Sequence, residues 1–156
     1  MLIRVIAVGT RMPAWVRTPV DDYTGRMPAE LRVEWKEVRA EPRSAGANAA
    51  TWMAREAQRI RALLPPGARV VALDERGTDL STQGLAERVQ RWQRDAQPVA
   101  LLIGGPDGLD PTLKAEAQEK LRLSSLTLPH PMVRILLAEQ LYRAWSVLAN
   151  HPYHRD

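Results

Sequence analysis

Apolar positions along this chain of 156 residues follow two rhythms. Short β-branched runs read as strands, and longer stretches with apolar residues every three or four positions read as helices. Leu2–Val8 is mostly apolar and ends at Gly9-Thr10, which predicts a central strand. Pro13 suits an early turn of a helix that runs to about Met27, where Pro28 stops it. Leu31–Val38 alternates strictly, predicting a strand with one wet face near a sheet edge. Residues 39–48 form a loop, and a helix from Ala49 to Leu64 closes at Pro65-Pro66-Gly67. Arg69–Asp74 is a short buried strand, broken at Glu75-Arg76-Gly77. Ser81 or Thr82 caps a helix to about Arg94, and Pro98–Ile103 is another buried strand. Pro111 opens a short helix, Leu121–Leu128 forms the last strand, and Pro131 opens a long helix to about Asn150.

Apolar strands joined by helical crossovers predict an α/β protein whose parallel sheet is covered by helices on both faces. Ligands in such sheets sit at the carboxyl ends of the strands. Leu73-Asp74, Gly104-Gly105 and Thr127-Leu128-Pro129 all fall at predicted carboxyl ends. The sequence reads as a single domain over residues 1–156, with no repeat and no linker. In the last helix Glu139, Arg143, Ser146 and Asn150 leave one polar stripe about 60° wide. Such a helix is either central in its own subunit or packed against a second copy, and isologous dimers are the commonest solution.

Composition narrows the chemistry. Cysteine is absent, which excludes disulfides, thiolate nucleophiles and cysteine metal sites. No apolar run approaches the ~20 residues of a membrane helix, and Met1 leads into a strand pattern rather than a signal peptide, so the expected location is the cytoplasm. The net charge of +4 is uneven: residues 1–70 carry 12 Lys/Arg against 7 Asp/Glu, and residues 71–156 carry 10 against 11. A basic half suits a polyanionic partner, and it equally suits a solvated, arginine-rich surface.

Three segments carry candidate chemistry. Gly104-Gly105-Pro106-Asp107-Gly108 permits close approach of a ligand to backbone, although it matches neither the dinucleotide fingerprint nor a P-loop. Ser124-Ser125-Leu126-Thr127-Leu128-Pro129 offers main-chain groups and hydroxyls that can read the edge of an adenine while Leu128 packs on the ring. His130, between two prolines, sits where a helix N-cap belongs; orienting the turn is the favoured role and catalysis the alternative. The terminal His151-Pro152-Tyr153-His154-Arg155 gathers titratable and aromatic groups where chains usually drift. Pro152 prevents the helical spacing of a His-x-x-His metal pair and no third acidic ligand stands out, so no metal is expected. Roles as base, phosphate holder or RNA-stacking group suit these residues better.

Val8-Gly9-Thr10, Leu73-Asp74-Glu75-Arg76-Gly77, Leu102–Gly108, Leu126–His130, Glu139–Ala144 and Asn150–Arg155 together resemble the bacterial ribosomal RNA large subunit methyltransferase H family. The resemblance spans the chain. It departs around Ala45–Ala49, where the family often has basic residues and Asn-Ala-Asp and this chain reads Asn48-Ala49-Ala50. It implies a small SPOUT-class fold with a trefoil knot, its knotted cofactor-binding part roughly residues 70–156, and a homodimer. It also implies an S-adenosylmethionine-dependent enzyme that methylates N3 of a pseudouridine in 23S rRNA on assembled ribosomes. Carried over by position, the S-adenosylmethionine site comprises Leu73, Gly105, Ser124, Ser125, Leu126, Thr127, Leu128 and Pro129. Tyr153, His154 and Arg155 would close over it and, with Arg143, lie near the transfer. Either His154 accepts the N3 proton, or Arg143 and Arg155 stabilise the developing anion.

Overall fold

The computed structural model describes residues 1–44 and 46–155. Five strands and five helices alternate: β1 (Leu2–Val8), α1 (Ala14–Gly25), β2 (Arg32–Val38), α2 (Ala49–Arg61), β3 (Arg69–Asp79), α3 (Thr82–Asp95), β4 (Val99–Ile103), α4 (Pro111–Glu116), β5 (Glu119–Arg122) and α5 (His130–Leu148). The strands form one sheet in the order β2-β1-β4-β3-β5, and every pairing is parallel. β2 lies at an edge, as its alternation predicts. β4, buried at every position, occupies the centre.

Alternation along the strands separates two cores. Ile3, Val5, Ala7, Leu101 and Ile103 pack with Leu85, Val89 and Trp92 of α3 and Leu137, Leu141 and Ala144 of α5. Ile6, Val8, Ala100 and Leu102 pack on the other side with Ala57 and Ile60 of α2 and Leu113 of α4. Val16 and Val20 of α1 pack on Ala138 of α5. α5 therefore lies over the sheet between α1 and α3. Leu137, Leu141 and Ala144 are buried in its own subunit, while Leu136, Trp145, Val147 and Leu148 stay partly exposed.

Two strands differ from expectation. β3 does not stop at Asp74; after a register shift between Leu73 and Thr78 it pairs again, Thr78 with Leu121 and Asp79 with Arg122. Gly77 permits this, because a Cβ there would stand 2.7 Å from the Leu121 backbone. β5 begins at Glu119 and ends at Arg122, so Ser124–Leu128 is loop rather than strand. The Ser124 hydroxyl accepts from the Leu126 amide at 2.9 Å, a local bond that competes with any ladder, and Leu126 is left 73% exposed. His130 is the first residue of α5, and Pro129 takes the N-cap position expected for it. Asn48, within the stretch where the resemblance departs, caps α2 by accepting from the Thr51 amide at 2.9 Å. Ala45, in that same stretch, lies outside the described residues.

Candidate active site

The register-shifted stretch of β3, the carboxyl ends of β4 and β5 and the first turn of α5 border a cleft of about 800 Å³. Leu73, Gly105, Ser124, Ser125, Leu126, Thr127 and Leu128 all line it, and Pro129 stands exposed just beyond, at the N-cap of α5. Residues outside the predicted set also face it, among them Asp74, Arg76, Lys114, Arg122 and His130.

The glycine loop folds tightly on itself. Gly108 has φ +85°, which favours glycine, and its amide donates to the Gly105 carbonyl at 3.0 Å. A Cβ at Gly104 would stand 2.6 Å from the Gly108 carbonyl carbon, and one at Gly105 would meet Val8 Cγ1 at 2.9 Å. Asp107 at its tip is held by Arg43 at 2.8 Å, and the same guanidinium donates to the buried Glu56 at 2.7 Å. On the facing loop, among the described residues, Leu126 alone of Ser125–Leu128 has its amide paired within the protein. The amides of Ser125, Thr127 and Leu128 remain open to a ligand.

His130 joins the two loops. Its Nδ1 lies 3.0 Å from the Gly104 carbonyl, and Nε2 accepts from Arg134 Nε at 2.8 Å. Nδ1 must then carry the hydrogen, so the ring is neutral and both nitrogens are committed. Burial lowers its proton affinity, the Arg134 charge lowers it further, and the Gly104 carbonyl only partly opposes them. Arg134 itself is buried; it reaches Glu37 at the end of β2 and donates to the Gly9 carbonyl at 2.8 Å. One guanidinium thus ties the ends of β1 and β2 to the histidine that carries the glycine loop. His130 orients the turn, as favoured from sequence.

The predicted catalytic residues gather elsewhere. Arg143 lies over the Tyr153 ring, 4.7 Å from its centroid, and its Nη1 is 3.3 Å from Nδ1 of His154. Glu139 anchors Arg143 at 2.6 Å and raises its pKa. Burial, then a bond to the Tyr23 hydroxyl at 3.5 Å, push the Tyr153 phenol up to about 12. Tyr153 also packs edge-on against Tyr142 at 4.7 Å, and Arg155 is exposed. α5 carries Arg143 and its tail neighbours about 20 Å along its axis from His130. Within one chain, the cofactor-type residues and the tail residues form two separate groups. Among the described residues no three His, Asp or Glu side chains converge as metal ligands, and no helix is long and apolar enough to cross a membrane.

Residues 1–154 match the family described as "Predicted SPOUT methyltransferase". The chain belongs to the SPOUT methyltransferase family. Proteins of Bordetella pertussis and Burkholderia ambifaria, both named Ribosomal RNA large subunit methyltransferase H, are 57% and 58% identical to this SPOUT chain over 155 residues, covering 99% of it and 99% of each relative. A solved structure of a probable methyltransferase from Bordetella pertussis Tohama I shares the fold with a TM-score of 0.57 at 19% identity, covering 91% of this chain and 95% of that one. A probable methylase family protein from Haemophilus influenzae matches with the same TM-score at 15% identity, covering 99% and 70%.

The sequence reading of this SPOUT site overlooked Arg134, a lone cation inside the apolar run Met132–Leu137 and four residues after His130. That i,i+4 spacing beside a proline-flanked histidine was the available signal. The inward direction of Asp74 and Lys114 had no such signal, because it depends on how α4 packs against β3.

Proposed function

We propose that this methyltransferase takes its methyl group from S-adenosylmethionine and transfers it to N3 of a pseudouridine in 23S rRNA of assembled ribosomes, in the cytoplasm. One observation carries the donor reading: open main-chain amides on the 125–128 loop face a glycine loop too tight for side chains, across a cleft at the carboxyl ends of parallel strands. That cradle suits an adenosine held by backbone, with Leu73, Gly105 and Ser124–Pro129 as the residues that would hold it. The substrate reading rests on the name that the full-length relatives carry. Residues 70–156 would form the knotted cofactor-binding part, since they supply β3, β4, β5 and α5, the elements bordering the cleft.

Bound there, the donor supplies an electrophilic methyl on sulfur. The protein's task is to place N3 in line and remove its proton. His154 is the candidate acceptor of that proton, and in the free chain its Nδ1 faces Arg143 Nη1 at 3.3 Å. The incoming base would displace Arg143 from Nδ1, leaving Arg143 and Arg155 beside the developing anion and Tyr153 against the nucleotide. Because the tail lies about 20 Å from its own cleft, a homodimer is part of this reading, with the tail of one protomer meeting the cleft of its partner.

The test is methyl transfer from labelled S-adenosylmethionine to ribosomes lacking the modification, with free 23S rRNA and bulk tRNA in parallel. Label on one pseudouridine of the large-subunit RNA is expected. Label on tRNA overturns the substrate, and no label on any RNA overturns the activity.

A further inference from the structure

Charge is distributed unevenly across the cleft. Leu73, the last residue of β3 before its register shift, belongs with the core beneath α5, whereas Asp74 faces α4. Lys114 of α4 meets it there, Nζ to Oδ2 3.6 Å, with the two side chains 30% and 15% exposed. Most other charged groups around the cleft are engaged outward, although the buried Arg122 Nε has no partner among the described residues. Asp107 is held by Arg43 and Arg122 by Asp79, both partners lying outside the lining, while Glu75 and Arg76 stand exposed at the rim. Asp74 and Lys114 are the charged pair with both members inside, half-sheltered and at the long end of ion-pair distance.

We infer that Asp74 and Lys114 bind the amino-acid end of the methyl donor. This rests on the donor reading above and deepens it. That end of the donor is a zwitterion, so it needs an acceptor without donors beside a donor without acceptors, which is what a carboxylate and an ammonium provide. In the free protein the two side chains neutralise each other. On binding, the pair opens, Asp74 accepting from the α-ammonium and Lys114 donating to the α-carboxylate. Each charge exchanges one partner for another, so neither is left buried and unpaired. Leu73, Leu121 and Val133, on the α5 side of the cleft, then leave the apolar lobe for the adenine. The donor is thereby held in a single direction, amino acid toward α4.

The test compares two ligands by titration calorimetry: S-adenosylhomocysteine, which has the amino-acid end, and 5′-methylthioadenosine, which lacks it. The proteins are the wild type, Asp74→Asn and Lys114→Gln. Each variant is expected to weaken S-adenosylhomocysteine by about tenfold or more while leaving methylthioadenosine unchanged. Unchanged S-adenosylhomocysteine affinity overturns the inference, as does parallel weakening of both ligands, which would mark a structural role. In either case the donor reading stands, since the wild type still binds both. A wild type that binds neither overturns the donor reading and this inference with it.

Discussion

His130 and Arg134 illustrate how a single contact sets the state of a side chain. Arg134 occupies Nε2, the Gly104 carbonyl occupies Nδ1–H, and the ring is held neutral. The folded chain therefore binds a proton at His130 less readily than the unfolded chain, whose histidine keeps its ordinary value of 6.5. Above that value neither state is protonated and His130 makes no difference. Below it the unfolded state takes the proton first, so stability falls with pH until the lowered folded value is passed. Urea midpoints taken from about pH 7.5 down to pH 5 should fall further for wild type than for His130→Asn; equal falls would remove His130 as the source. Much at this scale is legible beforehand. Glycines and Ser-Ser-Leu-Thr-Leu mark the cleft because backbone access leaves a compositional trace. Arg134 is harder to see, since a buried cation needs partners from β1 and β2, which lie far away in sequence.

Among the elements, β5 shows why a strand can be named and still misplaced. Leu121–Leu128 reads as the last strand, yet pairing with β3 is taken by Glu119–Arg122 and the serines that follow turn the chain out. What anchors β5 is its first residue. Glu119 accepts from Arg69 of β3, from Arg88 and, at 2.9 Å, from Trp92 Nε1 of α3. Burial alone would raise its pKa, but the donors from Arg69, Trp92 and Arg88 outweigh that and hold the carboxyl below its usual range. Glu119→Gln should cost about 2 kcal/mol of stability, with β5 amides losing hydrogen-exchange protection before those of β1 and β4. Unaltered protection along β5 would deny Glu119 its anchoring role.

At the scale of the whole molecule the site comes in two parts. The cleft lies at the start of α5, and Arg143, Tyr153 and His154 cluster near its end, so one helix holds apart what the proposed reaction must bring together. A chain lacking residues 151–156 and a Gly104→Ala chain, which crowds the glycine loop, should each be inactive alone. Co-expressed, they should recover methyl transfer, because one site of each mixed dimer would combine an intact cleft with an intact tail. Recovery no greater than the sum of the two separate chains would mean that each tail serves its own cleft.

By itself the sequence determined the alternation of strands and helices, the parallel sheet with β2 at its edge, and the glycine loop on one side of the cleft. Those features depend on local periodicity, turn residues and burial, which neighbouring positions record directly. The tertiary structure decided where β3 and β5 exchange register, how Arg134 closes three strand ends, and that Asp74 and Lys114 face each other inside the cleft. It also decided that the tail sits a helix-length from the cleft. These are relations between segments tens of residues apart, and they arise from packing that no local pattern encodes.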